Sequence, residues 1–171
     1  MSRELWLLRH AKADRNLALD DFDRPLKKRG KRAAEKLGAW LCKQQLIPDR
    51  IISSPAKRAL ATAKIVHKAF AVDSPVHLEQ RLYQAGLASL KAVIAECPTD
   101  VRRLLLVGHN PELEDLLIDL VGPGRLPVTD KLIATATLVR LKLADDWADL
   151  VPGSARLLAI IAVKSLPETD I

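Results

Sequence analysis

The chain has 171 residues, 49% hydrophobic and 28% charged, which is one ordinary domain with enough apolar material for a real core and too much for a disordered tail. Lysine and arginine outnumber aspartate and glutamate by 27 to 21, a net charge of +6 that favours anionic partners. The longest apolar run, Leu157 to Val163, is far short of the roughly 20 residues a membrane-spanning helix needs. The start Met-Ser-Arg-Glu meets Arg9 soon after its first apolar residues, so no signal-peptide core is expected and the cytoplasm is the expected location. Cys42 and Cys97 have no second Cys or His at ligand spacing, which argues against a disulfide scaffold or a zinc site. Aromatic residues are 4%, and Trp6, Trp40 and Trp147 are scattered, so nucleic acid is the weaker anionic candidate. The whole chain, 1–171, reads as one domain.

In chain order, Leu5 to Leu8 is a continuous apolar run ending in Arg9 and His10, as expected of a strand buried on both faces. A polar loop, Ala11 to Pro25, follows. From Lys27 to Gln45, Ala33, Ala34, Leu37, Trp40 and Leu41 form a helical stripe opposite a face of lysines and arginines. Arg50 to Ser53 reads as a second strand, with Ser54 as N-cap and Pro55 as first residue of a helix running to Phe70. That helix carries Arg58 in its first turn. Leu87, Leu90, Val93 and Ile94 mark another helix, and His77 before it falls in a linker. Arg103 to Gly108 is a third strand with His109 at its end; Asn110 is placed to cap and Pro111 to start the next helix. Leu132 to Leu143 and Arg156 to Lys164 read as two more strands.

Strands alternating with helices predict an α/β three-layer sandwich, a mostly parallel central sheet with helices on both faces. Ligands of such sheets bind at the carboxyl ends of the strands. Three strand ends carry suitable chemistry: Arg9 with His10, then Ser53, Ser54 and Arg58, then His109. Two arginines and two histidines on one rim make a pocket for a compact dianion, and phosphate fits best. A neutral histidine can attack phosphorus while a protonated one stabilises charge on the transferring group. No Asp or Glu cluster stands at metal-binding spacing, so neither a metal nor another cofactor is expected.

These residues also carry a family resemblance. Leu7-Leu8-Arg9-His10-Ala11-Lys12-Ala13 resembles the Arg-His-Gly signature of the histidine phosphatase superfamily, whose smallest members are the SixA-type phosphohistidine phosphatases. Asp21-Phe22-Asp23-Arg24-Pro25-Leu26 with Arg29-Gly30 is similar to the stretch after the first loop in SixA-like proteins. Ser53-Ser54-Pro55-Ala56-Lys57-Arg58-Ala59 with Thr62-Ala63, and Val107-Gly108-His109-Asn110-Pro111, resemble the family's next two segments in the same order.

The resemblance implies a phosphoglycerate mutase-like fold, His10 as a nucleophile forming a phosphohistidine intermediate, and Arg9, Arg58 and His109 as phosphoryl ligands. It extends a contact to Asn16, with Arg24 and Asn110 as further candidates. Arg24 is equally suited to pairing with Asp21 or Asp23.

Ala11 replaces the usual glycine after the nucleophile. The family's general acid has no clear counterpart in Leu78-Glu79-Gln80-Arg81-Leu82-Tyr83, where Glu79 is the nearest carboxylate. A phosphomonoester leaves as an alkoxide and needs a proton donor, whereas an imidazole protonates before it leaves. A missing acid therefore favours phosphohistidine on a protein as substrate. A phosphatase of small phosphate esters and a non-catalytic phosphoryl-binding module are the alternatives; neither a membrane nor a nucleic acid is an expected partner.

Overall fold

The computed structural model describes residues 2–16, 18–84 and 86–168. Ten main elements follow one another: β1 (Arg3–Arg9), α1 (Lys28–Lys43), β2 (Arg50–Ser53), α2 (Lys57–Phe70), β3 (Val76–Leu78), α3 (Leu87–Ala95), β4 (Arg103–Gly108), α4 (Glu112–Val121), β5 (Thr137–Leu143) and β6 (Arg156–Ala162). They build one six-stranded sheet in the order β3-β2-β4-β1-β5-β6. The first four of these run parallel, while β5 is antiparallel to β1, and β6 to β5.

The alternation of side chains along a strand explains the three layers. In β1, Leu5 and Leu7 point to the cluster formed with Leu90, Val93 and Ile94 of α3 and Leu113, Leu116 and Leu117 of α4. Trp6 and Leu8 point to the other side, against Leu37 and Leu41 of α1 and Ala59, Ala63 and Val66 of α2. All four β1 residues are fully buried, so each is worth about 2 kcal/mol relative to exposure. The indole N–H of Trp6 is not stranded, because it donates to Glu4 Oε2 at 2.8 Å. Close contact between α1 and α2 rests on Gly38, where a Cβ would lie 2.9 Å from that of Ala69.

Four boundaries differ from the sequence reading. Val76–Leu78 pairs with β2 as a three-residue edge strand, too short for periodicity to reveal, so His77 lies in a strand and not in a linker. α2 starts at Lys57 with Ala56 at the cap position, because the Ser54 hydroxyl accepts from Ala56 N–H at 3.2 Å ahead of the helix. α4 starts at Glu112; Asn110 does not cap it, since its side-chain amide donates to Ile133 O at 2.7 Å. Finally, β5 begins only at Thr137, and 132–136 bends into a turn with Ala136 at φ 54°. Its β-branched and apolar residues read as strand, but its backbone is diverted to the site described next.

Candidate active site

Register brings the three strand ends together. Arg9 pairs with Gly108 across β1 and β4, and Ser53 pairs with Val107 across β2 and β4. The chain continues that alignment past the strands: His10 N–H donates to Gly108 O at 3.1 Å and Ser54 N–H to Val107 O at 2.9 Å. His10, Ser54 and His109 thus emerge side by side at the carboxyl edge of the sheet. The 132–136 turn closes the adjoining edge, as Ala136 N–H donates to both Arg9 O and His10 O, and Ile133 O accepts from Arg9 Nη1 at 3.2 Å.

A cavity of about 350 Å³ opens over this row. Arg9, His10, Arg58 and His109 all line it, and the two imidazole centroids are 5.3 Å apart. His10, Arg58 and His109 are each less than a tenth exposed.

Their hydrogen bonds fix the tautomers. His10 Nδ1 is 2.8 Å from Ala11 O, and a carbonyl only accepts, so Nδ1 carries the proton and the neutral ring keeps its lone pair on Nε2. At His109, Nδ1 faces Arg58 Nη2 at 3.4 Å, and a guanidinium only donates; Nε2 therefore holds the proton and donates to Ser54 Oγ at 2.8 Å. Burial pushes the His10 imidazole down to about 4, with Arg58, Arg9 and Arg24 adding to the effect against the Ala11 carbonyl. Burial, then Arg58 and His10, push His109 down to about 3. Both rings are neutral at pH 7.

Thr62, fully buried one turn after Arg58, ties the loop that follows His10 to the helix that carries Arg58. Its hydroxyl accepts from Ala11 N–H at 3.0 Å and donates to Arg58 O at 2.7 Å. Gly30 supports the same loop from α1, because a Cβ there would lie 2.2 Å from Lys12 O.

Arg58 is held by Asp21, which the sequence reading named only as a partner for Arg24. Asp21 O accepts from Arg58 Nη1 at 2.6 Å, and Asp21 Oδ2 accepts from Arg58 Nη2 at 3.0 Å and from the Tyr83 hydroxyl at 2.8 Å. Burial would raise the Asp21 carboxyl, but Tyr83 and Arg58 outweigh it and hold the group below its ordinary range. Tyr83 also stands edge-on to His109, with centroids 5.7 Å apart. Asp21 was visible inside the Asp-Phe-Asp-Arg-Pro-Leu stretch, whereas nothing local in the sequence signalled Tyr83.

The remaining candidates divide. Arg24 and Asn110 line the cavity; Arg24 also pairs with Asp21 Oδ1 at 3.1 Å and donates to Asp14 O at 3.3 Å. Asn16 is exposed beside the cavity, and its Oδ1 accepts from Ala18 N–H at 3.0 Å. Glu79 is not brought to the cavity at all. Its carboxylate receives Arg81 Nε at 2.9 Å and Arg81 N–H at 3.1 Å, which hold it low and cap the short turn Gln80–Leu82. The carboxylates that do line the cavity are Asp21 and Glu112. Among the described residues, no group of three or more His, Cys, Asp or Glu is arranged to hold a metal ion, and no helix is long and apolar enough to cross a membrane.

The model of the histidine phosphatase superfamily, branch 1, matches residues 5–115, the span that contains every one of these strand ends. The chain belongs to that superfamily. An uncharacterised protein of Mycobacterium tuberculosis is 33% identical to this chain over 159 residues, covering 88% of this chain and 96% of the relative. Among solved structures, a putative phosphohistidine phosphatase SixA from Agrobacterium tumefaciens superposes with a TM-score of 0.78 at 29% identity, covering 94% of this chain and 97% of that one. Its counterpart from Nakamurella multipartitia gives 0.76 at 28% identity, with 95% and 96% covered. The histidine phosphatase fold of this chain is therefore matched along nearly its whole length.

Proposed function

We propose that this chain is a metal-independent phosphatase that works through a phosphohistidine intermediate on His10 and takes phosphohistidine on a protein as its substrate. The observation that carries the reading is the His10 tautomer: Nδ1–H is tied to the Ala11 carbonyl, and burial keeps the ring neutral with its lone pair on Nε2. Nε2 attacks phosphorus, the bond to the substrate's imidazole nitrogen breaks with its electron pair, and that ring leaves protonated. Water then attacks the phosphorus on His10, releasing inorganic phosphate and restoring the neutral ring. Arg9 and Arg58 supply the positive charge that the phosphoryl oxygens need, in forks that match their geometry. His109, with Nδ1 3.4 Å from Arg58 Nη2, lines the cavity beside the phosphoryl group. The two SixA-type structures at 28% and 29% identity support the substrate class.

A second reading, hydrolysis of small phosphate esters, is favoured by one observation. Glu112 lines the cavity with its Oε2 buried and without a hydrogen-bond partner, so a carboxyl group stands within the site, and a carboxyl is the kind of group that serves an ester's leaving oxygen. The two readings separate in one experiment: wild type and His10→Ala are assayed on a phosphohistidine protein and on p-nitrophenyl phosphate with a chelator present. Preferential loss of phosphohistidine with wild type alone supports the proposal. Equal or faster ester cleavage supports the second reading, and bound phosphate without turnover on either substrate identifies a binding module.

A further inference from the structure

A second groove, of about 460 Å³, adjoins the catalytic cavity and shares Lys12 and Thr135 with it. It runs between the start of α1 and the end of β6, the strand at the edge of the sheet. Its floor is apolar and made of small side chains, Ala33, Ala134, Ala162 and Val163. Its rim is cationic: Lys12 at the end shared with the cavity, and the exposed Arg29 and Lys164 further out. No aspartate or glutamate lines it, and none of these three cations forms an ion pair among the described residues.

The positive charge is concentrated at the junction. Lys12 is held below the ordinary lysine range by Arg15 first, then by desolvation, Arg29, Lys27 and Lys131, and every charge that shifts it is a cation. Exposed cations gathered in this way repel one another unless an anion joins them.

Sites for one particular small metabolite surround it with several inward polar groups that fix its orientation. Here the polar side chains of the floor are only the hydroxyl groups of Thr135 and Thr137, while the charges stand at the rim. Such a surface suits a chain of variable sequence that lays apolar side chains on alanines and acidic ones against the rim. We infer that the groove binds the polypeptide flanking the phosphorylated histidine, and that it selects flanks combining acidic and apolar residues. The inference rests on the protein-phosphohistidine reading, for which it names the specificity determinant.

The test uses two phosphohistidine peptides with the same central residues, one flanked by Glu and Leu and the other by Lys and Ser, alongside phosphoramidate as a P–N substrate without a flank. Wild type is expected to favour the acidic peptide about tenfold in kcat/KM, with the preference shrinking as salt is raised. In Arg29→Glu/Lys164→Glu, the ratio of acidic-peptide to phosphoramidate efficiency is expected to fall about tenfold. Binding of the unphosphorylated acidic peptide, read by fluorescence anisotropy, is expected to weaken in parallel. Equal use of both peptides by wild type, or a preference and anisotropy untouched by the charge reversal, would overturn the inference. Absence of phosphoramidate and phosphohistidine hydrolysis would refute the parent reading instead, and the anisotropy arm still decides the groove.

Discussion

Replacing Thr62 with valine tests how the loop that follows His10 is held. The side chains are nearly the same size, so the packing of α2 against the sheet is preserved and the change is chemical. Thr62 is fully buried, as is Ala11, and the hydroxyl accepts the Ala11 N–H at 3.0 Å. Valine leaves that N–H buried without a partner, which costs about 1 to 3 kcal/mol. The Arg58 carbonyl also loses the hydroxyl donor at 2.7 Å, a smaller effect because a carbonyl tolerates one bond fewer. With an m-value of about 2 to 3 kcal/mol/M for a chain of this size, the urea midpoint should fall by roughly 0.3 to 1.5 M.

Activity should suffer further, since Ala11 O also orients His10 Nδ1. A nucleophile displaced by a fraction of an ångström loses about tenfold to a hundredfold in kcat. Thr62→Ser keeps the hydroxyl and should recover most of the activity while losing some packing. A Thr62→Val protein with an unchanged urea midpoint and unchanged kcat would refute this account of the loop.

Gly30→Ala places a methyl 2.2 Å from the backbone oxygen of Lys12 and should destabilise by about 1 to 3 kcal/mol and lower kcat, read by thermal melting and the same phosphatase assay. The buried histidines make stability depend on pH in a defined direction. Their folded values lie well below 6.5, so the unfolded chain takes up protons that the folded one refuses; stability is full above about pH 6.5 and falls as pH drops towards 4. His10→Asn and His109→Asn should each flatten that slope of urea midpoint against pH, and an unchanged slope in the double variant would count against neutral buried rings. Glu79→Gln should leave turnover within about twofold of wild type, because Glu79 is committed to Arg81 outside the cavity, while Glu112→Gln should depress ester hydrolysis more than phosphohistidine hydrolysis in parallel assays.

Much of the architecture was legible because it depends on local pattern. The runs at 5–8 and 104–107 are buried on both faces and therefore continuously apolar, and the α1 and α2 stripes recur at helical spacing. The parallel order then follows from strand–helix alternation, which places Arg9, His10, Arg58 and His109 at one edge. Strand β3 escaped because three residues carry no period. The 132–136 turn escaped because its residue types favour a strand, while its conformation is set by donating Ala136 N–H to Arg9 and His10 carbonyls and accepting at Ile133 O.

By itself, then, the sequence determined which four cationic or imidazole side chains would meet, since each sits at the end of an element whose burial pattern is written in its own residues. Tertiary structure alone decided how they are held and charged. Asp21 and Tyr83 reach Arg58 and His109 from loops more than 60 residues apart, a pairing that no local periodicity encodes. The same packing turned Glu79 towards Arg81, brought Glu112 into the cavity, and opened the cationic groove at Lys12. Ionisation is likewise a property of the assembled site, because desolvation and the field of neighbouring arginines exist only once the chain has enclosed both rings.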